Sequence, residues 1–449
     1  MNVFSLFKNN VFLVYATRVF FAKLGTSNDV HNLDAEQYPP NIPTRSNNSN
    51  LWYTFQSLSN RNYLWLWLGT LCMISGFQMQ AIAQGYLVYE MTNSAKILGI
   101  VSTAGAVPVL TLALFAGAIA DRIHRKVLVQ IGQAISAVIA SIIALLIATE
   151  TVTWIHLLIA ALAQGAIAAF VAPARQALIP QLVGREKIGN AMALNAAVMG
   201  IAALVSPALA GLLYSIVGPS GVYIVVSISG IIALVLTNQI DTGKNPAKKH
   251  YNVISDVSAG IAYLWKNRPI KLHLSMTLVT VILATPLISL LPIFVMDVLN
   301  KDSGALGLLV SMSGLGSLAG ALIIAGIGPK NRGKIMISGS LIAGLSLILL
   351  GTSPWYAIAV PVMVLFGIGV STNINLNQAL IIEIVDEKYR GRVMSIMMMT
   401  FSLIPFGVIP AGLAIDAVGI RLVVSLMGVT LLACTTIIYL SQRSIRNIQ

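Results

Sequence analysis

A short charged loop, GAIADRIHRK at residues 117–126, carries the side chain best suited to make and break a contact in this chain. Asp121 lies between two apolar segments, and a carboxylate at a helix end can accept hydrogen bonds from free backbone amides at the start of another helix. We expect those amides near Gly391 and Arg392, where a later apolar segment begins. Gly117 would let the two helices approach closely. These residues therefore suit a contact between two helix ends that forms and breaks reversibly, which we call the latch.

Basic side chains around this loop have two interpretations. They can hold the loop against acidic residues or lipid phosphates, or they can simply fix the loop on one side of a membrane. The residues concerned are Arg122, Arg125 and Lys126. Polar residues at the ends of two later segments suit a gate or brace on the same side, or plain solvation of the surface: Arg175, Gln176, Gln378 and Arg390.

Neutral polar side chains inside the apolar segments are the candidates for contact with a substrate. Gln80 and Gln84 are four residues apart and therefore share one face of a helix. Each candidate can instead hydrogen-bond a neighbouring helix, as is common in membrane proteins. The full set of candidates is Gln78, Gln80, Gln84, Gln164, Thr280, Asn373 and Asn375.

Charged residues are missing from the middle of every apolar segment, so a proton relay has no obvious carrier. Glu90, Asp297 and Asp416 lie near the outer ends of segments and Asp121 at an inner end, and coupling to protons would have to use one of these acids. One segment also holds residues that favour a bend and close packing: Gly200, Pro207 and Gly211.

The elements that must position these residues are membrane helices. The chain is 57% apolar and only 10% charged, with a mean hydropathy of +0.83, which excludes a soluble globular domain. We predict an all-α membrane protein with twelve transmembrane helices, because twelve stretches are long enough to cross a bilayer. They lie at about 63–88, 96–119, 127–149, 153–172, 189–216, 219–239, 271–296, 304–327, 335–352, 355–376, 392–415 and 419–441.

An internal repeat divides these helices into two halves. Residues 175–192 return 202 positions later as residues 377–394, so that a Gln, a Gly and a spaced Met align without a gap. Two parallel halves favour a transporter whose substrate path lies between them. The predicted organisation is an extension at 1–55 that is mostly disordered, a six-helix bundle at 56–239, a linker with a short amphipathic helix at 240–270, a second bundle at 271–441 and a tail at 442–449.

The basic residues give the orientation. Loops after every second predicted helix are rich in Lys and Arg, which places those loops and both termini in the cytoplasm. The net charge of +13 follows from this topology, so no nucleic acid partner is expected.

The two cysteines form no disulfide framework or metal site, and no nucleotide-binding loop or catalytic triad is present. We therefore expect neither an enzyme nor an ATP-driven pump, and no cofactor or metal; the protein is expected to be a monomer.

The loop at 117–126 is also the point at which the chain resembles a known family, the major facilitator superfamily. Gly117, Asp121, Arg122, Arg125 and Lys126 match the signature of that family between its second and third helices, and His124 departs from it where Gly is usual. The similarity covers about residues 55–440. Strings such as QGYLVYEMTNSAKILGIV at 84–101, APARQALIPQLV at 172–183 and RGRVMS at 390–395 resemble the branch of enterobactin exporters and macrolide-efflux permeases.

This resemblance implies efflux of a small, often lipophilic molecule such as a drug-like compound or siderophore, by alternating access and commonly by proton antiport. It also implies a substrate cavity formed mainly by the first, fourth, seventh and tenth helices, and a bacterial inner-membrane location with lipid as a partner. Phe77 stands where related sequences often have Asp, which leaves proton coupling open. Two alternatives remain: a lipid or lysophospholipid flippase of the same fold, and a member that senses or scaffolds without transporting.

Overall fold

The structure, a computed structural model, describes residues 51–112, 124–241, 263, 267–326 and 332–441. Within these ranges the backbone is helical with short turns, and eleven helices are long and apolar enough to cross a membrane. The predicted extension before residue 51, most of the linker and the tail after 441 lie outside the described residues.

A 3-10 helix, Leu51–Ser59, precedes the first of these long helices. We number the long helices in chain order: α1 Arg61–Thr92, α2 Ala95–Leu112, α3 Arg125–Ala148, α4 Trp154–Leu182, α5 Ile188–Asn238, α6 Pro269–Val298, α7 Ser303–Gly326, α8 Arg332–Thr352, α9 Tyr356–Ile384, α10 made of Glu387–Phe401 and Pro405–Val418, and α11 Ile420–Ser441.

Helix α5 contains a break at Gly218. Its 51 residues would span about 77 Å at a rise of about 1.5 Å per residue, more than twice the roughly 30 Å hydrocarbon core of a bilayer. Gly218 has φ 72°, a left-handed conformation that side chains disfavour, and Pro219 follows it. The break falls where the sequence predicts the boundary between two membrane helices.

The start of α1 is fixed by a side-chain cap. The side-chain oxygen of Asn60 accepts hydrogen bonds from the backbone nitrogens of Asn62 at 3.0 Å and Tyr63 at 3.3 Å. Its amide nitrogen donates to the carbonyl oxygen of Leu182, the last residue of α4, at 2.6 Å. One residue therefore satisfies two free amides of α1 and one free carbonyl of α4.

The internal repeat appears in the structure as two helices with the same length and register. Both α4 and α9 have 29 residues, and the 202-residue offset places both ends of α4 on both ends of α9. The aligned residues Val183 and Val385 follow these helices in an extended conformation, and each donates its backbone N–H to an isoleucine four residues earlier. The aligned glycines Gly165 and Gly367 each lie against the backbone of a neighbouring helix, α2 and α7 respectively.

Helices α4 and α9 are longer than the sequence predicts. The predicted segments end at 172 and 376, but the helices continue to Leu182 and Ile384. The apolar pattern ends where polar residues begin, whereas the backbone hydrogen bonds of a helix continue beyond that point. As a result Arg175, Gln176 and Gln378 lie inside helices.

Among the described residues, the buried apolar side chains form one large cluster and three smaller ones. The large cluster contains residues from both predicted bundles, including Leu87 and Leu98 from the first and Leu291 and Val408 from the second. Each smaller cluster contains residues from only one side of the chain, between 58 and 240 in one and between 263 and 439 in the other two. The two bundles thus share a core in one part of the molecule and have separate cores in another.

Candidate functional site

A chain of neutral polar side chains joins three helices inside the first bundle. Ser136 of α3 donates to the side-chain oxygen of Gln164 in α4 at 2.8 Å, and the Gln164 amide nitrogen donates to the side-chain oxygen of Gln80 in α1 at 3.1 Å. Gln80 and Gln164 are both buried. Two of the predicted candidates therefore meet, although no local pattern in the sequence links them.

This polar chain borders a cavity of about 50 Å³ between α1, α3, α4 and the second part of α5. Gln133 of α3 also lines it; its amide nitrogen donates to the Thr237 hydroxyl at 3.0 Å. Sequence reasoning missed Gln133 and Ser136, whose only signal is that they are polar residues in an otherwise apolar helix. The lining residues are Met73, Gly76, Phe77, Gln80, Gln133, Ser136, Ala137, Gln164, Ile167, Ala168, Val226, Ser229 and Gly230.

The other two glutamines predicted on α1 do not line this cavity. Gln84 is buried one turn beyond Gln80, and Gln78 is half-buried. Phe77 is half exposed and lies at the cavity.

Two polar candidates of the second bundle, Thr280 and Asn373, hold helices together. Asn373 of α9 is fully buried; its amide nitrogen donates to the Ser340 hydroxyl of α8 at 2.5 Å, and its oxygen accepts from Thr280 of α6 at 3.1 Å. His273 and Asn377 pair nearby at 2.8 Å. Thr280 and Asn373 thus make interhelical hydrogen bonds, and their contact with a substrate stays a prediction.

Asn375 has a different environment from Asn373, two residues earlier. It is exposed, and its amide nitrogen donates to the Ser371 hydroxyl within the same helix at 2.9 Å. It therefore does not join the network that connects α6, α8 and α9.

Of the predicted brace residues whose side chains the structure describes, Arg175 is the buried one. Its side chain is 7% exposed, and its Nη1 atom has no hydrogen-bond partner among the described residues. Gln176 is exposed and Gln378 is half-buried. For Arg390 only the helical backbone is described.

Two basic residues of the predicted latch bind the ends of helices in the first bundle. Arg125 donates to the carbonyl oxygen of Ala177 near the end of α4 at 3.2 Å. Lys126 donates to the carbonyl oxygens of Asn238 and Ile240 at the end of α5, at 2.9 and 2.6 Å. A cation is favourable there because the carbonyls at a helix C-terminus carry partial negative charge.

The other latch residues are described only in part or not at all. Gly117, Asp121 and Arg122 lie outside the described residues, and for Gly391 and Arg392 the structure describes the helical backbone alone. The latch therefore stays a prediction.

One end of the molecule carries hydrogen bonds between the two bundles. The Asp416 carboxylate, near the end of α10, accepts from the backbone nitrogens of Ala95 and Lys96, at 2.9 and 3.2 Å, and from the Ser94 hydroxyl at 3.4 Å. These groups form the start of α2, where a negative charge is stabilised by the free amides. We call this region the Asp416 end.

Two tyrosines bind the other acids of this end. The Tyr89 hydroxyl of α1 donates to Asp297 of α6 at 2.5 Å, which is a second bond between the bundles. The Tyr214 hydroxyl of α5 donates to Glu90 of α1 at 2.5 Å, which is a bond within the first bundle. All three acids that sequence reasoning noted at segment ends thus have specific partners.

A close backbone contact joins α5 to α7. A Cβ atom on Gly211 would meet the carbonyl oxygen of Ser303 and, at 3.0 Å, the Cα atom of Gly307. The backbone nitrogen of Ala208, which follows Pro207, donates to the Ser311 hydroxyl of α7 at 2.9 Å. Pro207 and Gly211 therefore lie in this contact, and a bend caused by them stays a prediction, as it does for Gly200.

Comparisons with known proteins agree with this architecture. The family model described as Major Facilitator Superfamily matches residues 66–406, and a second match covers residues 274–446. Macrolide efflux protein A of Streptococcus pyogenes is 25% identical over 381 residues, which cover 83% of this chain and 94% of that protein. The staphyloferrin A transporter of Staphylococcus aureus (strain NCTC 8325 / PS 47) is 24% identical over 376 residues, covering 81% and 92%.

Solved structures show the same fold at low sequence identity. A point mutant of the nucleoside transporter NupG superposes with a TM-score of 0.68 at 13% identity, covering 84% of this chain and 100% of that one. A bacterial homolog of the human lysosomal transporter Spinster, inward-facing and unoccupied, gives a TM-score of 0.67 at 16% identity, covering 89% and 98%. The family match extends over most of the membrane helices. This multi-pass integral membrane protein therefore belongs to the Major Facilitator Superfamily and is a transport protein for small molecules.

Proposed function

We propose that this protein exports a small lipophilic molecule across a bacterial inner membrane by alternating access. In this proposal α5 supplies two crossings on either side of Gly218, which gives twelve transmembrane helices and puts both termini in the cytoplasm. The names of the two relatives, a macrolide efflux protein and a siderophore transporter, favour export as the direction of transport and a small molecule as the substrate.

The distribution of buried clusters is the observation that carries the proposal. With both termini in the cytoplasm, the Asp416 end is the outer end, and there the two bundles share one apolar core and are joined through Asp416 and Asp297. The smaller clusters belong to one bundle each. The two bundles are thus packed together at one end and separate at the other. Alternating access requires such a difference between the two ends in each of its two main conformations.

The substrate class follows from the polar groups that are available. The polar candidates on the cavity helices, such as Gln80 and Gln164, are neutral amides that accept or donate hydrogen bonds without a fixed charge. Such groups suit a molecule that is mostly apolar with a few polar atoms. A strongly charged substrate would need charged partners.

We further propose that closure of the cytoplasmic side uses Asp121 as a latch against the start of the Glu387–Phe401 helix, with Arg175 as a brace. A buried, unpaired Nη1 on Arg175 is costly, and a conformation that supplies an acceptor would therefore be stabilised. Proton antiport would use one of the acids at the outer end, because protonation of Asp297 or Asp416 removes the charge that strengthens the hydrogen bonds these carboxylates accept across the bundles.

Transport into liposomes tests this proposal. The purified protein is reconstituted with a pH-sensitive dye inside, and a radiolabelled macrolide or a siderophore is added with and without an imposed pH gradient. Accumulation that depends on the gradient, with proton movement in the opposite direction, would establish antiport. Saturable flux without proton movement would mean facilitated export. Movement of a fluorescent lysophospholipid between leaflets, with no flux of either solute, would overturn the export proposal in favour of a flippase.

A further inference from the structure

The cavity inside the first bundle contains a buried polar atom that has no partner. Gln133 is 2% exposed, and its side-chain oxygen Oε1 makes no hydrogen bond within the described part of the chain, whereas its amide nitrogen donates to Thr237. A buried oxygen that has lost its water partners is costly unless something donates to it. The structure thus contains an acceptor for one hydrogen-bond donor.

The other polar groups along the cavity already bond to the protein. Ser136, Gln164 and Gln80 form their own chain, and the Ser229 hydroxyl donates to the carbonyl oxygen of Val226 at 2.7 Å. The rest of the lining is largely apolar: Met73, Phe77, Ile167, Ala168 and Val226. A ligand that fits would therefore present a hydrogen-bond donor to Gln133 and an apolar remainder to the rest of the lining.

The size of the cavity limits the buried part of that ligand. Its volume of about 50 Å³ exceeds the roughly 10–15 Å³ that a cavity needs to hold one water, and it is far below the roughly 300–1,000 Å³ of a pocket for a whole drug-sized ligand. A hydroxyl group and its carbon fit this space. A single buried water usually needs about three hydrogen bonds. In this cavity its main hydrogen-bond partner would be Gln133 Oε1.

We propose that this cavity is a binding site for the hydroxyl end of a neutral amphiphile, with the hydroxyl donating to Gln133 Oε1. The apolar tail leaves past Phe77, which is half exposed at the cavity. All lining residues lie between 73 and 230, so the site belongs to the first bundle alone and does not depend on transport between the bundles. The amphiphile is either a membrane lipid with a free hydroxyl or a hydroxylated substrate.

Photolabelling of the whole protein tests the site. An octanol carrying a diazirine is added to the protein in phosphatidylcholine nanodiscs, irradiated, and its adducts are mapped by mass spectrometry. We expect saturable labelling of the peptide that contains Phe77, competed by excess octanol but not by octane. Gln133→Met should reduce this labelling about five- to tenfold, the effect of one lost hydrogen bond.

A matched control lies one turn away on the same helix. Gln130 donates to the side-chain oxygen of Asn238 at 3.2 Å but does not line the cavity, so Gln130→Met should leave the labelling unchanged. If Gln133→Met does not fold, Ala168→Leu fills the cavity and should also abolish the labelling. Displacement by diacylglycerol would identify a lipid, and displacement by a macrolide would identify a substrate.

Three results would each overturn the proposal. The first is labelling that does not saturate, and the second is equal labelling by a diazirine-carrying octane, which would mean a purely apolar crevice. The third is undiminished labelling in a folded Gln133→Met protein. Since none of these readouts requires flux, failure here is distinguishable from failure of the export proposal.

Discussion

The Asp416 carboxylate lies 2.9 Å from the backbone nitrogen of Ala95, although 321 residues separate them in the chain. It places a negative charge at the start of α2, where the free amides of the helix point. This is the same chemistry that the sequence predicts for Asp121 at the opposite side of the membrane, with the acid on the other bundle. The two acids would then close alternate sides.

Removing the Asp416 carboxylate should open the Asp416 end. Loss of a helix cap costs about 0.5–2 kcal/mol, so Asp416→Ala should shift the ratio of open to closed molecules by about two- to thirtyfold. Spin labels at Met91 and Val418, both exposed, report the distance across this end in a cysteine-free background. We expect a larger population of long distances in the variant.

Ser220→Ala is the control for this experiment. The Ser220 hydroxyl donates to the carbonyl oxygen of Ala144 at 3.0 Å, a bond within the first bundle. Its loss should lower stability without changing the distance between the labels. An unchanged distribution in Asp416→Ala would show that the cap does not hold the end closed.

Tyr89→Phe should have a similar effect through the second bond between the bundles. It removes the hydroxyl that donates to Asp297, a hydrogen bond to a charged group worth about 1.5–3 kcal/mol. Tyr214→Phe removes an equally short bond, to Glu90, inside the first bundle. Only Tyr89→Phe should increase the long-distance population, so equal responses of the two variants would contradict this assignment.

Asn373→Leu should destabilise the second bundle. The substitution leaves the buried partners Thr280 and Ser340 without the amide that joins them, which costs about 1–3 kcal/mol of unfolding free energy. Thermal unfolding in detergent, followed by size-exclusion chromatography, measures the loss. Asn375→Leu changes an exposed residue on the same helix and should have little effect; similar melting temperatures for both variants would refute the structural role of Asn373.

Gly211→Val should disrupt the contact between α5 and α7. A side chain there would overlap Ser303 and Gly307 of α7, and overpacking of this kind costs about 1–3 kcal/mol. Gly200→Val is the matched control on the same helix, because the nearest atom to its added Cβ is 3.7 Å away. Folded yield and liposome flux should fall for Gly211→Val alone, and full flux in that variant would show that the contact is not needed.

The sequence predicts the membrane helices well because the bilayer imposes length and apolarity on each of them. It also predicts the repeat, which the matching ends of α4 and α9 show in three dimensions. It does not predict how far these helices extend, since Arg175 interrupts the apolar pattern without interrupting the backbone hydrogen bonds.

The contacts of the candidate site are harder to predict. The partners of Asp416 and Asp297 lie in the other bundle, and no local spacing connects residues so far apart. Sequence reasoning could name Gln80 and Gln164 because they stand out in apolar helices, but it could not tell that they bond to each other. In the sequence, Gln133 is likewise a polar residue in an apolar helix. Only its side-chain oxygen, which has no hydrogen-bond partner among the described residues, distinguishes it from Gln80 and Gln164.

The matching ends of α4 and α9 imply a constraint on how this chain can have changed since its two halves diverged. An inserted residue would turn everything beyond it by about 100° around the helix axis, moving buried side chains into lipid. The two helices differ at most of their aligned positions, but they have the same number of residues. A probe at any position of α4 therefore has a natural counterpart 202 residues later, in the same turn of the corresponding helix of the other half.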